Sequence, residues 1–275
     1  MGGAGVAVIG MHRSGTSAVA AVLDALLGAE LDPRPTPANP RGQFEQPAWR
    51  PALDQLLADA GSWWGAPPPA GATWRSSRRS LRALARVDRS LGPGPWLWKD
   101  PRLTVTMPHW IDALAGPVHV VAVVRRPGPV AASLRRRDGM DAPTALALWE
   151  RYQRHLANVP AATRTHTVAY EGLVAEPAAV VAGLAAWLDA GGLPVSDAAR
   201  GTAGGRVGAD PTPAPTGGVP ERLDALYDAV VAGRRAPDAE PNEVEWHLRS
   251  RPRPDALDRW RSRRHASAAR RAGRR

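Results

Sequence analysis

"VAVIGMHRSGTSAVA", Val6 to Ala20, is the stretch from which the rest of the chain can be read. Val6 to Ile9 is a short apolar strand. After it Val19, Val22, Leu23, Leu26 and Leu27 recur at i, i+3, i+4, i+7 and i+8, the stripe of an amphipathic helix. Between them Gly10 and Gly15 stand at the spacing of a phosphate-binding loop, G-x-x-x-x-G-K-S/T, but Thr16 occupies the lysine position. The two glycines let the backbone curl so that successive N–H groups point inward, and the helix start adds its dipole and unpaired amides. Arg13, Ser14, Thr16 and Ser17 supply side-chain donors. A tetrahedral anion is expected here; the plainer alternative is an ordinary glycine-containing turn.

Working outward, "LDPRPTPANPRGQFEQPAWRP" is irregular and proline-rich, and a helix is expected near Ala52 to Ala60. "GSWWGAPPPAGATW" is a loop. Arg75, Arg79, Arg82, Arg86 and Arg89 then mark one basic helical face, either solvated or a landing surface for an acidic partner. "WLW" (Trp96 to Trp98) reads as a strand ending at "KDPR", followed by a short helix around Pro108 to Leu114. The strongest strand is Val118 to Val124, and "RRPGP" starts the next helix, with proline acceptable in a first turn. Ala145, Trp149, Tyr152 and Leu156 mark a further helix, "THTVAY" a strand, and Val180, Val181, Leu184 and Leu188 the helix after it. Strands apolar on both faces alternate with helices to about residue 190. The expected fold class is therefore α/β, a three-layer α/β/α arrangement around a mostly parallel sheet. A long Gly- and Pro-rich loop follows, then one helix near Glu221 to Gly233.

Composition bounds the rest. The 275 residues are 44% apolar, enough for one sizeable core. The longest apolar run is too short to span a bilayer. The first residues lead into a strand without a basic and then apolar leader, so no signal peptide is expected. Cysteine is absent, which excludes disulfides and thiolate chemistry and fits a cytoplasmic setting. Of 36 Lys and Arg residues only Lys99 is a lysine, against a background whose abundant Ala, Arg, Pro and Gly suggest a genome rich in G and C. From Leu248 to Arg275 there are eleven arginines and two aspartates, so this tail carries nearly all of the net charge of +10. The organisation expected is one α/β domain over residues 1–235, with its motifs in 5–190, and a mobile basic arm over 236–275. That arm is expected to be a solvated tail; the alternatives are contact with a membrane surface or an acidic partner, and a nucleic-acid partner is not expected.

The missing lysine narrows the ligand. A P-loop NTPase places lysine on the β- and γ-phosphates beside a Mg²⁺ held by an aspartate ending a second strand. Here the candidate strand "VHVVAVV" ends in Arg125 and Arg126. Both halves of the nucleotide–metal apparatus are absent, and an anionic donor that works without metal becomes more attractive.

At this point the residues resemble the sulfotransferases that use 3′-phosphoadenosine 5′-phosphosulfate (PAPS). "GMHRSGTS" resembles their 5′-phosphosulfate loop, with Arg13 where many members carry lysine. "VVAVVRRPGPVAASL" resembles their 3′-phosphate motif, which implies Arg125 and Ser133 as the 3′-phosphate ligands. "VAYEGLVAEP" resembles their Y-E-D-L segment, which implies Tyr170 against the adenine. "NPRGQFE" and "WLWKDPR" resemble segments of bacterial members. Several departures stand out: the family's later R-K-G motif is not found, and Arg126 and Pro129 occupy positions where acidic or amide residues are common.

The resemblance implies transfer of a sulfuryl group from PAPS to a hydroxyl or amine of a small-molecule, glycan or lipid acceptor, by in-line displacement without metal. The cofactor-binding set is Arg13, Ser14, Gly15, Thr16, Ser17, Arg125, Ser133 and Tyr170. Positioning and cations near the leaving group carry such a reaction, which makes Arg13 and Lys99 candidate catalytic residues; the alternative for Lys99 is a salt bridge to Asp100. Glu45 is the candidate base, or else pairs with Arg41 or caps the next helix. Asp100 is a second base candidate. His12 and His109 are not assigned a role. Trp63 and Trp64 either stack on an acceptor or pack within the core. Two other classes remain open: a P-loop phosphotransferase or NTPase, and a non-catalytic nucleotide or nucleic-acid binder that uses the tail.

Overall fold

Four strands pair side by side, all parallel, in the order β2-β1-β3-β4, where β1 is Gly5–Gly10, β2 Trp96–Lys99, β3 Val118–Val124 and β4 Thr165–Ala169. The computed structural model describes residues 3–36, 39–40, 42–207 and 218–234, all within the unit Met1–Asp238. The boundary expected near residue 235 and the basic arm lie outside the described residues.

The strand order has a functional consequence. The chain leaves β1 for β2 on one side and then returns to place β3 on the other. In open sheets of this kind ligands gather beyond the strand C-termini at such a reversal. Gly10 ends β1 opposite Val123, so the loop after β1 and Arg125 emerge side by side.

Helices cover both faces. On one, Val6, Val8, Leu97, Val121, Val123 and Val168 pack against α1 (Thr16–Leu27), α8 (Pro177–Ala190) and α9 (Asp197–Ala203). On the other, α4 (Leu103–Trp110) and α6 (Ala142–Leu156) lie against β1, with α5 (Pro127–Asp138) and α10 (Glu221–Val231) packed beside α6. Trp98 points to this second face and meets Trp110 at 5.6 Å between ring centroids. The strands read as unbroken apolar runs because both faces are covered.

The other helices are α2 (Arg50–Asp59), α3 (Arg78–Ser90) and α7 (Tyr170–Ala175). Of the arginines expected on one helical face, Arg79, Arg82, Arg86 and Arg89 lie on α3 and are exposed while Ser80, Leu84 and Val87 are buried, as a solvated basic face requires; Arg75 is exposed too but precedes the helix. Two expectations need correction. The helix expected around Pro108 to Leu114 starts earlier, at Leu103, and ends in a 3₁₀ turn, Ile111–Ala113; Pro108 lies inside it. The stretch expected to be one long loop contains α9, whose start is capped by Ser196 accepting from the Ala199 amide. Seven residues are too few for a clear apolar stripe, and the cap was the only local signal. No described helix is long and apolar enough to cross a membrane.

One buried clamp holds the start of the loop after β1. The Gly10 amide donates to Thr104 Oγ1 at 2.8 Å, and the same hydroxyl donates to the Gly10 carbonyl at 3.1 Å. Gly10 has φ 149°, and a Cβ there would lie 2.6 Å from the Val123 carbonyl oxygen. Thr104→Val should leave both backbone groups buried and unpaired, lowering stability by about 2–3 kcal/mol and the thermal midpoint on the order of 5–10 °C. Thr104→Ser should recover most of the loss, and calorimetry of the three proteins checks both statements.

Candidate active site

The loop after β1 turns through two left-handed residues, Arg13 (φ 70°) and Gly15 (φ 89°), before α1 begins. For arginine that conformation is disfavoured by roughly 1–2 kcal/mol, and such strain clusters where a backbone must present its amides. Gly15 is the N-cap of α1 and offers no side-chain cap, whereas Ser77, Asp141 and Ser196 cap α3, α6 and α9. The Ser14 amide donates to the Met11 carbonyl at 3.2 Å and the first intrahelical bond runs from the Ala18 amide to the Gly15 carbonyl, so the amides of Gly15, Thr16 and Ser17 between them are left for another acceptor. Ser14 is fully buried, yet its Oγ has no hydrogen-bond partner. A buried orphan hydroxyl costs about 1–3 kcal/mol unless something fills it, and it lies in the loop expected to take an anion.

Tyr170, the first residue of α7, lies on Gly15. A Cβ at Gly15 would be 2.0 Å from the Tyr170 ring. The Arg125 guanidinium stacks over that ring, 4.5 Å from its centroid, and donates to the Arg13 carbonyl at 3.2 Å. Arg13 in turn donates from Nε to Ser133 Oγ at 2.7 Å. Thus three sequence segments expected to bind one ligand, the phosphate loop, the end of β3 with α5, and the end of β4, form a single contact chain. Arg13 reaches toward Ser133, which the sequence did not indicate. Burial first, then the charges of Arg137, Arg136 and Arg125, push the Arg13 guanidinium below its ordinary pKa. The excess of positive charge is what an anion would relieve.

On the other side of β1, strand parity decides where Lys99 goes. Lys99 pairs with Val8 and so shares the face of α1. Its buried ammonium donates to Ser17 Oγ at 3.2 Å, the Gln43 carbonyl at 2.9 Å and Glu45 Oε1 at 3.1 Å. The Asn39 amide also donates to Ser17 Oγ, at 3.1 Å. Glu45 receives Arg50 on its other oxygen at 2.9 Å. The alternative of a Lys99–Asp100 bridge is therefore corrected: Asp100 takes both carboxylate bonds from Arg102, at 2.8 and 2.7 Å. Asp100 is the next residue along β2's exit and faces away from Lys99, while Pro101 and the first turn of α4 bring Arg102 back to it. Glu45 pairs with Lys99 and Arg50; Arg41, the partner expected from the sequence, lies outside the described residues. Phe44, just before it, is buried with φ 53°.

These pairings set protonation. Burial alone would raise the Glu45 pKa, but Lys99, Arg102 and Arg50 outweigh it and hold the carboxyl below its usual range. Burial raises Asp100, opposed by Arg102. His12 is held well below the ordinary imidazole range, by burial first and then by Arg137, Arg102, Lys99 and Arg50. His109 is remote in role: it packs on Trp74 at 4.0 Å and hydrogen-bonds Ser76. Arg126 is turned to the protein itself, its side chain on Asp224 at 3.3 Å and over the Tyr227 ring at 4.7 Å; an acidic residue is not needed there because Glu171 already accepts from the Arg126 amide at 2.9 Å. Arg206, in the Gly-rich stretch, ends a short 3₁₀ turn and is exposed. Sequence reasoning missed Thr104, Arg50 and Arg102. Thr104 and Arg50 carry no motif, Arg102 ends the "WLWKDPR" segment without a role assigned to it, and only the fold brings the three to the site. Among the described residues no three His, Asp or Glu side chains come together to hold a metal ion.

The profile of the sulfotransferase family matches residues 5–197. The chain belongs to the sulfotransferase family. The match begins at β1 and ends at the start of α9, so it takes in every segment of the contact chain described above. Solved structures similar to this one include the sulfotransferase domain from the curacin biosynthetic pathway, 15% identical with a TM-score of 0.45 over 72% of this chain and 77% of that one. The sulfotransferase domain from the Synechococcus PCC 7002 olefin synthase is 18% identical, with a TM-score of 0.44 over 90% and 94%. Sulfotransferase STF1 from Mycobacterium tuberculosis H37Rv is 17% identical, with a TM-score of 0.40 over 74% and 71%. A search of curated proteins returns no match.

The depressed Glu45 carboxyl has a consequence for stability. A group whose folded pKa is lowered stabilises the fold fully above its unfolded value, about 4.3 for glutamate, and loses that contribution as pH falls through the folded value. Wild type should exceed Glu45→Gln by roughly 1–3 kcal/mol at pH 7. The gap should close as urea midpoints are followed from pH 5 towards pH 3. A gap independent of pH would mean that Glu45 is not held as an ion by its neighbours.

Proposed function

We propose that this sulfotransferase takes its sulfuryl group from PAPS and passes it to a hydroxyl or amine acceptor. The observation that carries the reading is the chain of contacts Gly15–Tyr170–Arg125–Arg13–Ser133. It joins an uncapped helix start, an aromatic platform and a second cationic pocket, the three features an adenosine ligand with anions at both ends demands. The residues fit such a ligand on independent grounds: Ser14 Oγ is buried without a partner, and the loop backbone at Gly10 and Gly15 leaves no room for a Cβ.

In this reading the amides of Gly15 to Ser17, with Ser14 and Thr16, hold the 5′ end, Arg125 and Ser133 hold the 3′-phosphate, and Tyr170 lies against the base. When bound, PAPS supplies an activated sulfuryl group on a phosphate that leaves with growing negative charge. The protein's own part is to position and to neutralise. Lys99 Nζ, beside Ser17 in the first turn of α1, is the cation for the 5′ end. Arg13 ties the two pockets together and adds a second positive charge. Glu45 Oε1 is the proton acceptor for the incoming nucleophile. Held by Lys99 and Arg50 it is ionised but weakly basic. A shift of Lys99 from Glu45 towards new negative charge would raise its basicity when a proton must be taken.

Two variants test the reading. Arg125→Ala should weaken binding of 3′-phosphoadenosine 5′-phosphate about 100-fold, the loss of a nearly buried charge-assisted pair of roughly 3 kcal/mol. AMP, which lacks the 3′-phosphate, should lose no more than about threefold; equal losses by calorimetric titration would remove Arg125 from the 3′ pocket. Glu45→Gln should lower transfer by a factor of about 10²–10⁴ with the nucleotide dissociation constant little changed, and near-normal turnover would remove Glu45 as the base.

A further inference from the structure

The peptide unit that leads from Arg125 to Arg126 is held on both edges. Its carbonyl oxygen accepts from Trp149 Nε1, on α6, at 2.9 Å. Its N–H, which belongs to Arg126, donates to Glu171 Oε1 at 2.9 Å. A peptide unit is planar, so bonds on opposite edges fix the orientation of the whole plane. That plane sets the direction in which the Arg125 side chain leaves the backbone, and with it the stacking over Tyr170. Glu171 directly follows Tyr170 at the start of α7. One pair of neighbours, Arg125 and Arg126, therefore meets another, Tyr170 and Glu171, at two points: guanidinium on ring and amide on carboxylate.

Glu171 is itself fastened from α10. Tyr227, a buried residue of that helix, donates its hydroxyl to Glu171 Oε2 at 2.8 Å. Burial and the Glu171 carboxylate both oppose ionisation of the phenol, so it stays a donor. A second arm joins α10 to Arg126, whose guanidinium lies 4.7 Å from the Tyr227 ring centroid and 3.3 Å from Asp224. The two arms are unequal. The Arg126 and Asp224 side chains are 50% and 45% exposed, and ion pairs in such positions contribute little. The Tyr227 bond is charge-assisted and its donor is nearly out of solvent, where hydrogen bonds are strongest. The family profile ends at residue 197, before α10 begins, so the family match does not account for this contact.

We infer that Tyr227 and Glu171 are positioning residues of the nucleotide pocket, which aim Arg125 at the 3′-phosphate. This rests on the nucleotide reading above and deepens it. The path runs from the Tyr227 hydroxyl to the Glu171 carboxylate, the Arg126 amide and the Arg125 guanidinium over Tyr170. What it transmits is direction, not charge. Without the Tyr227 hydroxyl the carboxylate is free to swing, the Arg126 amide loses its fixed acceptor, and Arg125 keeps its charge but not its aim. The loss falls on ligands that carry a 3′-phosphate. A carboxamide at position 171 preserves the geometry, by donor and acceptor counting. Its carbonyl oxygen accepts from the Arg126 amide, and its NH₂ donates to the Tyr227 oxygen, which can accept as well as donate.

The test is the preference of the full chain for 3′-phosphoadenosine 5′-phosphate over AMP, the ratio of their dissociation constants by calorimetric titration. Tyr227→Phe should cut that preference about fivefold to tenfold, the loss of one hydrogen bond's worth of positioning, with AMP itself changed by less than about twofold. Glu171→Ala should cut it about tenfold or more, whereas Glu171→Gln and Asp224→Asn should each stay within about threefold of wild type. A residue that merely held α10 in place would weaken both nucleotides together, and an unchanged preference in Tyr227→Phe would overturn the inference. So would equal losses in Glu171→Gln and Glu171→Ala, because charge and not aim would then be at work, or a loss in Asp224→Asn as large as that in Tyr227→Phe. The nucleotide reading is scored separately. A wild-type preference near one, or one untouched by Arg125→Ala, sinks that reading. A preference lost in Arg125→Ala but kept in both Tyr227→Phe and Glu171→Ala sinks only the positioning.

Discussion

The site depends on a ring occupying space that any other residue at position 15 would fill. Gly15 serves twice there. Its left-handed backbone ends the phosphate loop and starts α1 without a side-chain cap, and its missing Cβ lets Tyr170 close to within contact. Tyr170 is then fixed as the floor on which Arg125 stacks. Remove the close approach and Arg125 loses its support, the bond to the Arg13 carbonyl loses its register, and the left-handed turn at Arg13 loses its reason. One absent methyl group thus couples segments more than a hundred residues apart in sequence.

Charge is arranged in two ways around this centre. On the β3 side, arginines crowd one another, and burial with Arg137, Arg136 and Arg125 opposes the charge on Arg13. That is an arrangement poised for an anion, because each cation present makes the next more costly until negative charge arrives. On the β2 side the cations are already matched: Lys99 and Arg50 to Glu45, Arg102 to Asp100 and Asp54. Matched pairs in a dry environment contribute less to stability than to geometry. What they provide here is a lysine held against the first turn of α1 with a carboxylate as its counter-ion. A chain with one lysine among so many arginines places it at the point where a compact, reorientable ammonium differs most from a planar fork.

Much of this was legible in the sequence, and the limits are physical. The strand, glycine pair and helix stripe at Val6 to Leu27 read directly, because local geometry demands those residue types. So did the alternation that makes a parallel sheet, and the three segments that converge on Tyr170. What could not be read was pairing across space. Lys99 and Asp100 are neighbours in sequence and look like partners, but strand parity sends them to opposite faces, and Arg102 claims the aspartate. Thr104 stands in no motif; its importance comes only from lying under Gly10. Helix α9 is too short to show a period. The sequence assigns His12 no role, and only the coordinates show that its buried Nε2 has no hydrogen-bond partner.

The sheet order explains why an anion donor and an acceptor could share so small a region. β1 is central, with β2 and β3 to either side, so the loop that follows it borders both neighbours at once. The β3 side brings Arg125 and the helix carrying Ser133; the β2 side brings Lys99 and, across from it, Glu45. The lysine proposed for the leaving 5′ end and the carboxylate proposed for the nucleophile are therefore paired on one flank of the loop, and the residues proposed for the 3′-phosphate lie on the other.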